Sequence, residues 1–177
     1  MILDCLSKAI FLYLIYNIVV LMIFGVPKSL SMTYYLFRER KHILKTLFPA
    51  IIIMLVIFLT PCWLTMSEGT TFQFTAFLSI AGLLFVGFSP GFMTSQLENK
   101  VHDYAAYLCV ASSCAWIILV TQYWWIPIIW LVSFGIIAMI TKTIKSSYIY
   151  WLENVAIFST FTAMITYYEQ YTKFLIN

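Results

Sequence analysis

The chain has 177 residues, 63% hydrophobic and only 10% charged, with a net charge of +3 and a mean hydropathy of +0.93. A soluble domain carries about 25% charge, and a chain of this length cannot hide so much apolar surface from water, so a water-soluble globule is excluded and the expected solvent is a bilayer. Half of the ten Lys and Arg fall in one short segment and the rest are scattered at the ends of apolar runs, which excludes nucleic acid as a partner.

The first apolar run covers residues 9–26. MILDCLSK precedes it and no small-residue cleavage site follows, so it reads as a membrane span rather than a signal peptide. Its lone amide, Asn17, is expected to hydrogen-bond to another helix. Residues 27–45, PKSLSMTYYLFRERKHILK, then interrupt the apolar sequence. This segment holds Ser29, Ser31, Thr33, Tyr34 and Tyr35, followed by Arg38, Arg40, Lys41 and Lys45. Leu30, Tyr34, Phe37 and Leu44 fall roughly on one side, with Arg38, Lys41 and Lys45 on another. That pattern fits either an interfacial amphipathic helix or an extension of the next span. Arg38, Arg40, Lys41 and Lys45 are candidates to meet anionic lipid headgroups.

Five more apolar runs follow at 47–64, 72–88, 104–121, 126–141 and 149–167. Each is near the length a spanning helix needs, and none alternates as a barrel strand would. The expected architecture is all-α, a single polytopic domain over 1–177 built as a bundle of six transmembrane helices. Ser79, Ala81, Gly82 and Gly87 in the third run, and Ala105, Ala106, Ala111, Ser112, Ser113 and Ala115 in the fourth, permit close helix approach. They place those two spans in the middle of the bundle. With the N-terminus outside, eight of the ten Lys and Arg fall on inner loops. Basic loops stay inside, so both termini are expected outside a bacterial inner membrane.

Chemistry-bearing residues gather toward the inner side. Glu153 lies a few residues into the sixth run with Asn154 beside it. Intramembrane carboxylates usually face the bundle interior or a water-filled cavity; the plainer reading pairs Glu153 with a loop Lys or Arg. Glu98, His102 and Asp103 open the fourth run, and Glu98 and His102 would share a helix face. An acid–imidazole pair can move protons. The plainer reading makes Asp103 an N-cap-like acid and puts His102 at headgroup depth. With His42, Ser29, Ser31, Tyr34 and Ser89 on the same side, an inward-facing polar vestibule around Glu153, Asn154, Glu98 and Tyr34 is expected. Only two His are present and neither belongs to a spaced ligand motif, so no metal and no cofactor is expected. Cys5 and Cys62 both fall at the outer side, where a disulfide is conceivable in an oxidising compartment, while free, buried thiols are the default for all four Cys. P-loop, GxGxxG, GxSxG, CxxC and HExxH motifs are missing.

PKSLSMTYYLF, TAFLSIAGLLFVGFSPGF and ENKVHDYAAY together resemble an uncharacterised family of small multi-span membrane proteins from gut Bacteroidetes and their phages. A more distant resemblance is to the membrane hydrolases that include alkaline ceramidases and adiponectin-receptor-like proteins. That resemblance implies a Ser, an Asp and His residues near one membrane face, here Ser29 or Ser31, Asp103 and His102. It also implies three zinc-binding His, where this chain has two.

Two functional readings follow. One is a binding or transport-type bundle with an inward-facing polar vestibule, partnered by the bilayer and by anionic lipid at its inner face, with a homo-oligomer or a membrane partner left open. The other is a membrane-embedded hydrolase using His102, Asp103 and a loop Ser. The distance from a loop Ser to His102 separates them.

Overall fold

A helix satisfies its own backbone hydrogen bonds, which is why apolar runs of this length coil up when water is excluded. The computed structural model describes residues 1–176, with side chains through Gln170. Lys173, which with Lys8 makes up the two Lys and Arg expected on the outer side, lies beyond those side chains. All regular structure among the described residues is helical. In chain order the helices are α1 (Ile2–Phe24), α2 (Thr33–Arg40), α3 (Leu47–Ser67), α4 (Gln73–Phe88), α5 (Gln96–Trp116), α6 (Trp125–Ile140) and α7 (Tyr148–Ile176). A 3₁₀ turn at His42–Thr46 leads into α3, and a π turn at Ile117–Thr121 extends α5. Three of these segments, Ile2–Phe24, His42–Ser67 and Gln96–Thr121, are long and apolar enough to cross a membrane. The helices α4 and α6 have 16 residues each, about 24 Å at 1.5 Å per residue.

Helix α3 is the centre of the bundle. Phe48, Ile52, Leu55, Leu59 and Trp63 recur every three or four residues along it, and all are buried. Neighbours α1, α4 and α7 pack around it. This corrects the expectation that the third and fourth spans, α4 and α5, are central. Those two helices are the most closely apposed pair, yet both leave large side chains outside: Phe77 and Phe85 on α4, Tyr104 and Tyr107 on α5. Small residues mark where two backbones touch, not where the middle is. A Cβ placed on Gly82 would sit 2.7 Å from the Cys109 backbone nitrogen and 2.8 Å from the Ala105 carbonyl oxygen.

Helix α7 is clasped to α1 by a reciprocal quartet. The Tyr13 hydroxyl donates to Asn154 Oδ1 at 2.9 Å, and the Tyr150 hydroxyl donates to Asn17 Oδ1 at 3.0 Å. Each amide nitrogen donates to the carbonyl one turn earlier, Asn17 to Tyr13 and Asn154 to Tyr150. Asn17 thus makes the interhelical bond expected of it. Asn154 belongs to this clasp rather than to a vestibule. Helix α6 packs against α7 through rings: Trp130, Phe134 and Phe158 have centroids 4.9–5.4 Å apart.

The segment after α1 differs most from expectation. Gly25 ends α1 at φ +69°, a left-handed conformation that suits glycine. The chain then folds back into the end of the bundle as a turn followed by the eight-residue α2. It is neither a long interfacial helix nor an extension of α3. Leu30, Ser31, Thr33, Tyr35 and Phe37 are buried, while Arg38, Arg40 and Lys41 are exposed and Lys45 is half-buried. The expected division between an apolar and a basic side is kept only in part: Leu30 and Phe37 are buried and Arg38 and Lys41 exposed, but Tyr34, Leu44 and Lys45 are all half-buried, and Lys41, Leu44 and Lys45 lie beyond the end of α2. At the opposite end of the bundle the Cys62 thiol donates to the Ile2 carbonyl at 3.5 Å, and all four cysteines are free.

Two glycines test the packing. Gly82→Ala must push α4 and α5 apart and is expected to destabilise by about 1–3 kcal/mol. Gly135 on α6 has open space where a methyl would go, so Gly135→Ala should be neutral or stabilising by up to about 1 kcal/mol. Unfolding midpoints of the two variants in detergent check this; equal effects would contradict the close α4–α5 contact.

Candidate functional site

A segment without regular helical bonding can enter an apolar bundle only if its N–H and C=O groups find partners. Residues 26–35 find theirs on three sides. The Tyr150 N–H, one of the unpaired donors at the start of α7, donates to the Lys28 carbonyl at 3.1 Å. The Ser147 hydroxyl donates to the Val26 carbonyl at 3.3 Å. Glu153 Oε2 accepts from the Leu30 N–H at 2.6 Å. The Tyr16 hydroxyl on α1 is hydrogen-bonded to Thr33 Oγ1, whose own hydroxyl donates to the Leu30 carbonyl at 2.5 Å. The Tyr35 hydroxyl accepts from the Met93 N–H at 2.6 Å, and burial pushes that phenol above its ordinary pKa.

These bonds hold Ser31 against α5. Ser31 and His102 are 5% and 4% exposed, and Ser31 Oγ lies 2.8 Å from His102 Nε2. His102 Nδ1 lies 3.0 Å from the Ser89 carbonyl oxygen. A carbonyl can only accept, so the proton sits on Nδ1. Nε2 then has a free lone pair, and the Ser31 hydroxyl donates to it. Phe92 stacks on the imidazole with centroids 4.5 Å apart, and Tyr35 meets the other edge of that ring pair at 5.4 Å from Phe92. The imidazole is thereby held in position and in tautomer.

Asp103 is not part of this arrangement. It is exposed, and His102 Nδ1 has the Ser89 carbonyl instead. Nor does Asp103 cap the helix: α5 begins at Gln96, and the Ser95 hydroxyl caps it by accepting from the Glu98 N–H at 3.1 Å. His102 is accordingly in the second turn and buried inside the bundle. Glu98 is exposed and bonded to the Thr94 hydroxyl. Tyr34 is half-buried against the Tyr35 ring, and Ser29 accepts from the Met32 N–H at 3.1 Å. His42 lies at the surface beside Lys45, 3.0 Å away. Arg38 and Arg40 lie over the rings of Tyr35 and Phe24. Of the expected vestibule residues, only Glu153 lines the cavity that Ser31 lines. Among the described residues no ion pair joins Glu153 to a Lys or Arg. No cluster of three His, Cys, Asp or Glu side chains suited to a metal occurs among them either.

The cavity has a volume of about 80 Å³ and runs between α3, α4, α5 and α7. Ser31 and Glu153 stand at its basic end, Trp63 and Phe161 at the other, with aliphatic side chains between. Its less buried wall residues lie on two helices: Ala106, Cys109 and Val110 on α5, and Glu153 and Ile157 on α7. The seam between α5 and α7 is its mouth. Trp63 Nε1 is buried without a hydrogen-bond partner.

Sequence reasoning singled out Ser31, His102 and Glu153. It missed Phe92, the Leu30 N–H and Trp63. The buried stripe on α3 was visible as spacing, but a wholly apolar span gives no contrast by which to choose a face. No family model, curated protein or solved structure matches the chain.

Glu153 is expected to act through the Leu30 amide. Glu153→Leu leaves that buried donor bare and should cost about 1–3 kcal/mol, whereas Glu153→Gln retains an acceptor oxygen and most of the stability. Hydrogen exchange at Leu30 checks the cause: it should quicken in the Leu variant, and unchanged exchange there would contradict the link.

Proposed function

We propose that this chain is a multi-pass protein of a bacterial inner membrane, six helices with both termini outside, that cleaves an acyl bond in a lipid-like substrate. Ser31 is the nucleophile and His102 the general base. The observation that carries the reading is the 2.8 Å contact from Ser31 Oγ to an imidazole nitrogen whose lone pair is free, on the wall of an apolar cavity. The six-span topology is supported by the bias of Lys and Arg toward one end. The two 16-residue helices would cross through modest local thinning of the bilayer.

The chemistry follows from the geometry. Ser31 Oγ attacks the carbonyl carbon of an ester or amide while its proton passes to His102 Nε2. The imidazolium that forms keeps its Nδ1–H on the Ser89 carbonyl, which orients it as Asp orients the base in a triad. The tetrahedral adduct collapses, the bond to the leaving group breaks, and Nε2 returns the proton to that group. Water then attacks the carbonyl carbon of the acylated Ser31, losing a proton to Nε2; the second adduct collapses, the bond to Ser31 Oγ breaks, Nε2 returns the proton to that oxygen, and the free acid leaves. Glu153 fixes the Leu30 amide and so the turn that presents Ser31. The exposed Arg38, Arg40 and Lys41, with the half-buried Lys45, supply a basic surface at the same end, suited to anionic headgroups.

A serine-reactive fluorophosphonate tests this. Ser31 should be labelled in the intact protein and Ser31→Ala should not be. His102→Ala should slow labelling by about 10²–10⁴-fold, the contribution of a general base. Asp103→Asn should label at the normal rate. Labelling that ignores His102, or that falls on another serine, would overturn the assignment.

A further inference from the structure

The shape and direction of the cavity carry more than a site of attack. Its mouth is the seam between α5 and α7, where Ala106, Cys109 and Val110 face Ile157 and Glu153. Val110 is 39% exposed, whereas Leu55, Leu59 and Trp63 on the α3 side are buried. In a bilayer that seam opens sideways onto lipid chains, not onto water. Among the described residues the only carboxyl on its wall is that of Glu153, at the Ser31 end; elsewhere the lining is apolar apart from the Ser113 and Thr160 hydroxyls and the Trp63 indole N–H. From Glu153 to Phe161 the α7 wall rises about 12 Å at 1.5 Å per residue. A leaflet is about half of a 30 Å hydrocarbon core, so the slot is shorter than a full-length lipid tail. Trp63, 2% exposed, closes its far end.

Resting on the acyl-cleavage reading, we infer that the substrate is a lipid with one medium-length acyl chain, that this chain enters sideways between α5 and α7, and that Trp63 is the stop that sets its length. The carbonyl carbon then lies at Ser31 and the methyl end against the indole. Trp63 does not touch the reacting atoms; it determines specificity by occupying the place of further methylenes.

The test uses the full chain carrying Ser31→Ala in nanodiscs, so that no turnover is needed. The probes are saturated fatty acids of increasing length with a diazirine at the methyl end, mapped after photolysis by mass spectrometry. Medium-length probes should cross-link to Leu59, Trp63 or Phe161. Trp63→Ala should shift the preference to longer probes, by about fourfold for each extra methylene accommodated. Trp63→Phe keeps a ring while removing the N–H and should leave the profile near that of the parent. Val110→Trp, at an exposed position, should block the mouth and lower cross-linking at every length. A profile that Trp63→Ala leaves unchanged, or cross-linking indifferent to Val110→Trp, would overturn the inference. Loss of the length preference with Ser31 still labelled by fluorophosphonate sinks the chain stop alone. A clear length preference with Ser31 unlabelled sinks acyl cleavage and leaves a chain-binding slot.

Discussion

The structure depends on one constraint: a stretch of chain without helical bonding has entered an apolar bundle, and each of its polar groups must be met. The 2.6 Å bond from the Leu30 N–H to Glu153 is the most telling of the contacts that meet it. A carboxyl group buried among apolar side chains needs a hydrogen-bonding partner. Here it is answered by a backbone donor rather than by a cation. That bond joins α7 to the turn that carries Ser31, and Ser31 in turn reaches α5 through His102. Three parts of the sequence, near residues 30, 102 and 153, are brought together only by this folded-back segment.

The clasp between α1 and α7 serves the same end. Tyr13, Asn17, Tyr150 and Asn154 exchange two interhelical hydrogen bonds one turn from Glu153 and Tyr16. Such bonds are individually modest in membranes, but a reciprocal pair fixes the rotation of each helix as well as its distance. With α7 held in that rotation, Glu153 faces the folded-back turn and the slot. Along Phe48, Ile52, Leu55 and Leu59 the buried stripe of helix α3 behind them is apolar, so the polar atoms of the site have no competing partners on that stretch.

How much of this was legible in the sequence varies with the signal. The helices were, because runs such as 47–64 and 72–88 have no other stable form in lipid, and their ends agree with α3 and α4 to within a few residues. The start of α5 was not: Gln96–Lys100 is mostly polar, and a hydropathy reading does not see helical turns that are not apolar. That error put Asp103 at the helix start. Ser31, His102 and Glu153 stood out as polar residues in apolar surroundings. Which of the polar residues would meet was not legible, since Glu98 shares the helix with His102 yet bonds to Thr94. Nor could composition reveal that residues 29–37 would bury their aromatic side, because the same pattern serves an interfacial helix.

The arrangement at His102 is the centre of the account, and nitrogen NMR of the protein labelled with ¹⁵N-histidine reads it directly. His42 is at the surface and is removed by substitution, leaving one imidazole. The account predicts a neutral ring at neutral pH with the proton on Nδ1, and an Nε2 signal shifted by a hydroxyl donor that disappears in Ser31→Ala. A proton on Nε2, or an imidazole that exchanges freely with water, would contradict it.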